Sequence, residues 1–285
     1  MIIDMHTHLG NILYPGGGEL IHCKGVKKKR IFDVVSLSEK MDHQGTPPFL
    51  YEWAHSFVTR SSRARNATAT LENMRGAMDA AGVGRCVCMP IPPYVTFQDL
   101  HSAALKDNGI IPFTGMDYTQ SFEPDLKFKK DVAKGAKGLK LHPIIQKTAL
   151  NDDKTFQTIE AFSVHNLPVL FHCGKSSYYL GKESRLREKP ALGAISHARE
   201  LAGAFPKVRF IAGHAGLFEY RAVIDLLSPC PNIMVDTSFQ SPERIRQLIA
   251  AFGPERVLYA SDWPYGNMAP AIKIVKKACG YISPI

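Results

Sequence analysis

Short apolar runs punctuate this chain at a steady beat. The segments "RCVCMP" (85–90), "IIPFTGM" (110–116), "GLKLHP" (138–143), "LPVLFHCG" (167–174), "VRFIAGHAG" (208–216), "NIMVDTS" (232–238) and "RVLYASDWP" (256–264) recur every 24 to 41 residues. Their length suits strands. Between them lie stretches with helical spacing and helix punctuation. "NATATLENMRGAMDAAGV" leads into the first run, and Thr96 as N-cap and Gly109 as stop bracket residues 96–109. Residues 151–166 begin with capping residues, while Pro242 and Glu243 open and Gly253 closes residues 241–253. With residues 2–8 as a first strand the count is eight. Apolar strands alternating with helices predict an α/β fold with a parallel sheet, and eight of them predict closure into a (β/α)8 TIM barrel; an open doubly wound sheet is the alternative.

Residues 10 to about 65 interrupt this beat. The segment is rich in Gly, Pro and charge ("YPGGGEL", "HQGTPPF") and follows the first strand directly. It is therefore expected as a helical or loop insertion at the barrel face where active sites sit, acting as a lid or as a subunit contact in a homodimer. It does not read as a domain of its own, so residues 1–285 are expected to form one barrel domain.

Composition narrows the function classes. Of 285 residues, 45% are hydrophobic and 21% charged, as in ordinary globular proteins, and no apolar run is long enough to cross a bilayer. No basic segment followed by an apolar stretch opens the chain, so a cytoplasmic location with no membrane partner is expected. The six cysteines are expected as reduced thiols, and Cys86 and Cys88, lacking a second pair to complete a metal site, as buried small residues. The net charge is +9, part of it in "KGVKKKR" (24–30). That run has no interleaved aromatics and no nucleic-acid-binding fold around it, so it reads as a solvated loop, with no nucleic-acid partner. The positive field suits a small anionic substrate.

Candidate chemistry lies at the strand ends. The predicted strands carry His6 and His8 on the first, Lys140 and His142 on the fourth and His172 on the fifth. His214, Asp236 and Asp262 follow on the sixth, seventh and eighth. Asp4, His6 and His8 alternate, which predicts that all three share one face of the first strand. In a closed barrel these ends converge, and imidazoles with aspartate suit zinc, manganese, iron or a related divalent ion. His22, His43, His55, His101, His165 and His197 fall in the insertion or on helices and receive no site role, unless an insertion histidine reaches the substrate.

Taken in order, "DMHTH", "GLKLHP", "LFHCG", "AGHAG" and "LYASDWP" resemble the amidohydrolase superfamily over nearly the whole chain. Within it the chain is most similar to the amidohydrolase-2 branch related to aminocarboxymuconate-semialdehyde decarboxylase. The resemblance implies that His6, His8, His172 and Asp262 bind a divalent metal, zinc in the first instance, and that Asp262 also handles the proton of the attacking water. It makes His214 either a second-metal ligand or a catalytic group that polarises the substrate. Lys140 stands where binuclear members carry a carbamylated lysine or a glutamate. It is read as a metal bridge, as a holder of a substrate carboxylate, or as the partner of a rim carboxylate such as Asp117. His142 has the same open roles, or caps a strand end, and Asp236 is expected to hydrogen-bond a ligand. One metal is expected rather than two. The implied reaction is hydrolysis of an amide, ester or lactone by metal-activated water. The alternative is non-oxidative decarboxylation of an unsaturated or aromatic carboxylic acid, and a non-catalytic ligand-binding barrel is the remaining reading.

Overall fold

In the computed structural model of the chain the apolar runs form a closed ring of parallel strands. The structure describes residues 1–29, 31–44 and 48–280, and for residues 48–53 the backbone alone. Arg30 of the basic run and residues 45–47 of the insertion lie outside the described residues. The strands are β1 (Ile2–Thr7), β2 (Val83–Cys88), β3 (Ile110–Pro112), β4 (Thr114–Gly115), β5 (Leu139–Leu141), β6 (Val169–Phe171), β7 (Phe210–Ala212), β8 (Ile233–Asp236) and β9 (Val257–Leu258). They pair in chain order, β1 to β3 and then β4 to β9. Only Phe113 separates β3 from β4, so the two are halves of one stave and the staves number eight. Backbone hydrogen bonds close the ring. Met5 N–H donates to the Tyr259 carbonyl (3.1 Å), Asp262 N–H to that of His6 (2.9 Å), and His8 N–H to that of Trp263 (2.6 Å). The chain is thus a (β/α)8 barrel, and the open-sheet alternative is excluded.

The helices are α1 (Val34–Lys40), α2 (Pro48–Asn66), α3 (Leu71–Ala81), α4 (Phe97–Ala104), α5 (Pro124–Ala133), α6 (Pro143–Gln146), α7 (Asp153–Ser163), α8 (Gly181–Arg187), α9 (Ile195–Ala204), α10 (Tyr220–Leu227), α11 (Pro242–Phe252) and α12 (Met268–Ala278). Among the described residues no helix is long and apolar enough to cross a membrane. Thr96 caps α4 in a full capping box with Asp99, and Ser241 caps α11. The stop at Gly109 is a correction, since α4 ends at Ala104. Asp107 turns the chain instead, accepting from Gly109 N–H (2.8 Å) and from Arg75 Nε (2.7 Å).

Alternation along the strands decides which side chains meet at the centre. Leu170, Ile211 and Met234 pack in the barrel interior with Val87, Met89 and Phe113, while Val169, Phe171, Phe210, Ala212, Ile233 and Val235 join the layer under the helices. Lys140 lies between the outward Leu139 and Leu141, and His172 and Asp236 each lie two residues beyond an interior position. All three face inward at the rim.

β1 breaks the rule. Its register with β2 shifts between Asp4 and Thr7, so that Met5 packs with the interior cluster and the adjacent His6 also reaches the centre. Asp4 is consequently parted from His6 and His8, correcting the expectation of one shared face. Its buried carboxylate accepts from Ser261 N–H (3.0 Å) and from the Ser261 hydroxyl (2.5 Å), which ties β1 to the segment after β9.

Candidate active site

Each imidazole at the rim is fixed through one nitrogen, and that contact decides what the other nitrogen offers. His6 Nδ1–H donates to Asp236 (2.9 Å), and His8 Nδ1–H donates to the Met89 carbonyl (2.9 Å). Both therefore turn an Nε2 lone pair toward Asp262 Oδ1, at 3.7 Å from His6 and 3.4 Å from His8. Asp262 Oδ1 is buried and has no hydrogen-bond partner among the described residues. Three acceptors thus face one another with too few donors, Asp262 Oδ1 having none, an arrangement that is unfavourable unless a cation enters. Lys140 partly fills that need, because its ammonium donates to His6 Nε2 (2.9 Å).

Asp236 is the hub beneath this cluster. One carboxylate oxygen holds His6, and the other accepts from the backbone N–H groups of His214 (3.0 Å) and Ser238 (3.0 Å) and from the Ser238 hydroxyl (2.5 Å). Because the Ser238 hydroxyl donates to Asp236, its oxygen accepts from His214 Nδ1–H (2.7 Å). His214 Nε2 is then an acceptor that can take a proton and stabilises an oxyanion only once protonated, while the ring nitrogen set toward Asp262 is Nδ1, 4.0 Å from Oδ2. Ligand atoms of His6, His214 and Asp262 all lie within 4.8 Å of one another, as metal binding needs.

Two of these residues owe their aim to unusual backbone. Asp262 has φ 57°, with its N–H on the His6 carbonyl, and β7 is cut short because His214, Ala215, Gly216 and Leu217 all take left-handed conformations (φ 58°, 41°, 76° and 54°). Non-glycine residues pay for this region, and such strain concentrates at functional sites.

The other candidates stand to one side. His172 Nε2–H donates to the Gly174 carbonyl (3.0 Å), and its Nδ1 lies 3.3 Å from the Tyr178 hydroxyl. His142 stacks on it at 4.4 Å. Its Nδ1 caps α6 by accepting from Ile145 N–H (3.4 Å), and its Nε2 meets Tyr178 at 3.1 Å. Lys140 does not pair with Asp117, which is turned instead onto Thr119 N–H (2.9 Å).

Burial sets the charge states. It drives the imidazoles of His6, His142 and His214 well below their ordinary range and those of His8 and His172 to about 3, with Lys140 adding to the effect in every case. They are neutral, the form that binds metal. Burial likewise pushes Asp262 well above the usual carboxylate range, Lys140 opposing, and lowers Lys140 to about 8, with Asp262 and Asp236 opposing.

Above this floor lies a cavity of about 250 Å³. His172, His214, Asp262 and Tyr265 line its base, while Val34, Val35 and Leu37 from α1, Met41 just after it, and Val58 and Ser62 from α2 roof it. The insertion thus covers the barrel mouth. Its ties are polar: buried Arg65 reaches Asp33 (3.1 Å), Ser36 (2.8 Å) and the Tyr265 carbonyl (3.0 Å), and Glu39 accepts from Asn267 N–H (2.7 Å). His43 also lines the cavity, as do Tyr178, Phe239 and Arg244. Sequence reasoning missed Tyr178, Phe239 and Arg244, and gave His43 no role beyond the one kept open for an insertion histidine that reaches the substrate. Arg244 alone carried a signal, since the first turn of a helix that follows a strand end opens at the barrel mouth.

Comparison with known proteins follows the same lines. The amidohydrolase family model matches residues 3–281. No curated protein matches the chain. Among solved structures, an uncharacterised TIM-barrel protein from Bordetella bronchiseptica is similar at 14% identity with TM-score 0.66, covering 99% of this chain and 94% of its own. A 5-carboxyvanillate decarboxylase from Novosphingobium aromaticivorans, complexed with manganese and 4-hydroxy-3-methoxy-5-nitrobenzoic acid, is similar at 14% identity with TM-score 0.63, covering 100% and 91%. A "probable 2-pyrone-4,6-dicarboxylic acid hydrolase" from Acinetobacter baumannii with citric acid bound is similar at 13% identity with TM-score 0.56, covering 98% and 92%.

Proposed function

We infer, from the premise that the chain belongs to the amidohydrolase family, that it is a metal-dependent hydrolase acting on an amide, ester or lactone of a small anionic molecule. The observation that carries this reading is the convergence of His6 Nε2, His8 Nε2 and Asp262 Oδ1, the last without a hydrogen-bond partner among the described residues, which fits a divalent cation. These three residues with His214 would hold the ion, zinc in the first instance; a place for His172 among the ligands rests on the family pattern. When bound, such an ion lowers the pKa of a water molecule and polarises a carbonyl.

The chain's own groups do the rest. Asp262, ionised beside a bound cation, takes the proton of the attacking water, and its burial raises its proton affinity for that role. His214 polarises the substrate after a proton has reached its Nε2, with Ser238 and Asp236 holding the ring. The roof of α1 and α2 excludes bulk water.

One observation favours a second reading. The apolar roof and Phe239 suit a flat unsaturated acid, and five of the fold's solved neighbours bear the names of decarboxylases. Non-oxidative decarboxylation at the same centre is that alternative. A panel of lactones, esters, amides and aromatic acids, assayed in oxygen-18 water with carbon dioxide followed in parallel, tests both. Hydrolysis predicts metal-dependent turnover with label in the product. Metal-dependent carbon dioxide release without label would replace it with the decarboxylase reading.

A further inference from the structure

Among the described residues four buried polar atoms have no hydrogen-bond partner, and two of them, Asp262 Oδ1 and the Tyr265 hydroxyl, belong to one turn at the base of the cavity. The first is an acceptor that a cation satisfies. The second is a phenol with nothing to receive its proton. Buried polar groups are rarely left so, and each costs stability unless a ligand completes it. Other tyrosines of the chain show the ordinary pattern. The hydroxyls of Tyr179, Tyr259 and Tyr118 donate to the Leu13 carbonyl (2.7 Å), the Met268 carbonyl (3.2 Å) and the Thr158 hydroxyl (3.2 Å). The backbone of Tyr265 is held on both sides, since its N–H donates to the Asp262 carbonyl (2.8 Å) and its carbonyl accepts from buried Arg65 (3.0 Å). Its ring stands edge-on to His8 at 6.1 Å. These contacts fix the ring beside the His6–Asp262 centre without engaging the hydroxyl.

The other groups on the floor have no proton to offer. His172 Nε2–H is committed to the Gly174 carbonyl, His214 Nδ1–H to Ser238, and Lys140 to His6, while ionised Asp262 has only acceptor oxygens. An oxygen gathering negative charge here would meet a bound cation and a set of acceptors. Of the four residues at the base of the cavity, Tyr265 alone keeps a donor uncommitted. A phenol holds its proton at neutral pH, and burial, with Asp262 and Tyr178 adding, pushes this one further up, so the donor is in place before any proton moves. His214 must first be protonated to do the same.

We propose that Tyr265 is a catalytic residue whose hydroxyl donates a hydrogen bond to the oxygen on which negative charge gathers during the reaction. For an attacked amide, ester or lactone that oxygen is the oxyanion of the tetrahedral adduct. This rests on the reading that the reacting group sits at the His6–Asp262 centre.

Tyr265→Phe, which keeps the ring and removes only the hydroxyl, tests it. In the metal-free protein the Tm should rise by about 2–4 °C, because a buried hydroxyl without a partner is gone. Titration calorimetry of the zinc-reconstituted protein with methylphosphonate, a tetrahedral oxyanion, should show affinity about 10- to 100-fold below wild type, the range for a hydrogen bond to a charged group. Zinc affinity, read by competition with a chelator, should be unchanged. For any lactone, ester or amide of the panel that turns over, kcat should fall about 100-fold with KM held. A lower Tm in the variant, a drop in zinc affinity that matches the drop in phosphonate affinity, equal phosphonate affinity in the two proteins, or no phosphonate binding by wild-type protein overturns the proposal. Phosphonate affinity that depends on the hydroxyl, with carbon dioxide released and no panel member hydrolysed, keeps Tyr265 as the donor and removes the hydrolase reading instead.

Discussion

The floor of the cavity and its roof come from different parts of the chain and obey different constraints. On the floor, residues from β1, β8 and the segments after β7, β8 and β9 lock one another. Asp236 takes four hydrogen bonds, one of which turns His6 Nε2 inward, while another orients the Ser238 hydroxyl that holds His214 Nδ1. On the roof, α1 and α2 touch the cavity mainly through aliphatic side chains, and the insertion keeps Phe32, Leu37, Met41 and Phe57 exposed. A metal centre demands direction, whereas an apolar wall demands only shape. The same floor can therefore serve different substrates under different roofs, which fits a fold shared at 13–14% identity by proteins named for hydrolysis and for decarboxylation.

If the floor carries the chemistry, the largest loss comes from Asp262. Replacing it with Asn keeps the shape and removes the proton acceptor, so turnover should fall about 10³-fold, within the range for a general base, with little change in Tm. Steady-state kinetics beside thermal melting check this, and near-normal turnover would remove Asp262 from the mechanism. Asp236→Asn comes next. It touches no substrate, but it frees His6 and Ser238 to choose other hydrogen bonds. Metal affinity should drop about 10- to 100-fold, the usual cost of losing a group that orients a ligand, as measured by competition with a chelator.

The floor was legible in the sequence because parity along a strand is a local property. "LKL" and "VLFH" place Lys140 and His172 inward without knowledge of their neighbours, and the order of polar strand ends does the same for His214, Asp236 and Asp262. Asp4 failed because a register shift in β1 cannot be seen in the β1 residues alone. The roles of His142, Tyr178 and Ser238 depend on which tautomer each imidazole adopts, and that is settled by contacts across the barrel. The roof was illegible for another reason. Val34, Val58 and His43 carry no periodic signal that points them at a cavity, and only the buried ties of Arg65 and Glu39 bring them there.

Those ties make the roof separable from the floor. Arg65→Met leaves Asp33 and Glu39 without their shared partner beneath α1, and breaking a buried ion pair typically costs about 3–5 kcal/mol. That loss should fall on the insertion. KM for any substrate found should rise about 10-fold, as expected when about 1.4 kcal/mol of cover is lost, while metal affinity stays at the wild-type level. Limited proteolysis should find the insertion before the barrel. A parallel loss of metal affinity would show that roof and floor are one unit and break the comparison.

The smallest effect expected is a pH dependence confined to the roof. His43 hydrogen-bonds Ser38 through Nδ1 (2.9 Å) and lies edge-on to Phe239 at 5.9 Å, and burial lowers its pKa to about 4 from an ordinary 6.5. Below pH 6.5 the unfolded segment gains a proton that folded His43 refuses until about pH 4. Stability contributed through His43 is therefore complete above 6.5 and declines as pH falls across that window. His43→Gln keeps a hydrogen-bonding group and does not titrate, so its Tm should fall less than that of wild-type protein between pH 7 and pH 5. The buried histidines of the floor titrate in both proteins and cancel in the difference. Hydrogen exchange should place that difference in α1. Equal slopes in the two proteins, or a difference spread over the barrel strands, would remove His43 as a separate determinant of the roof.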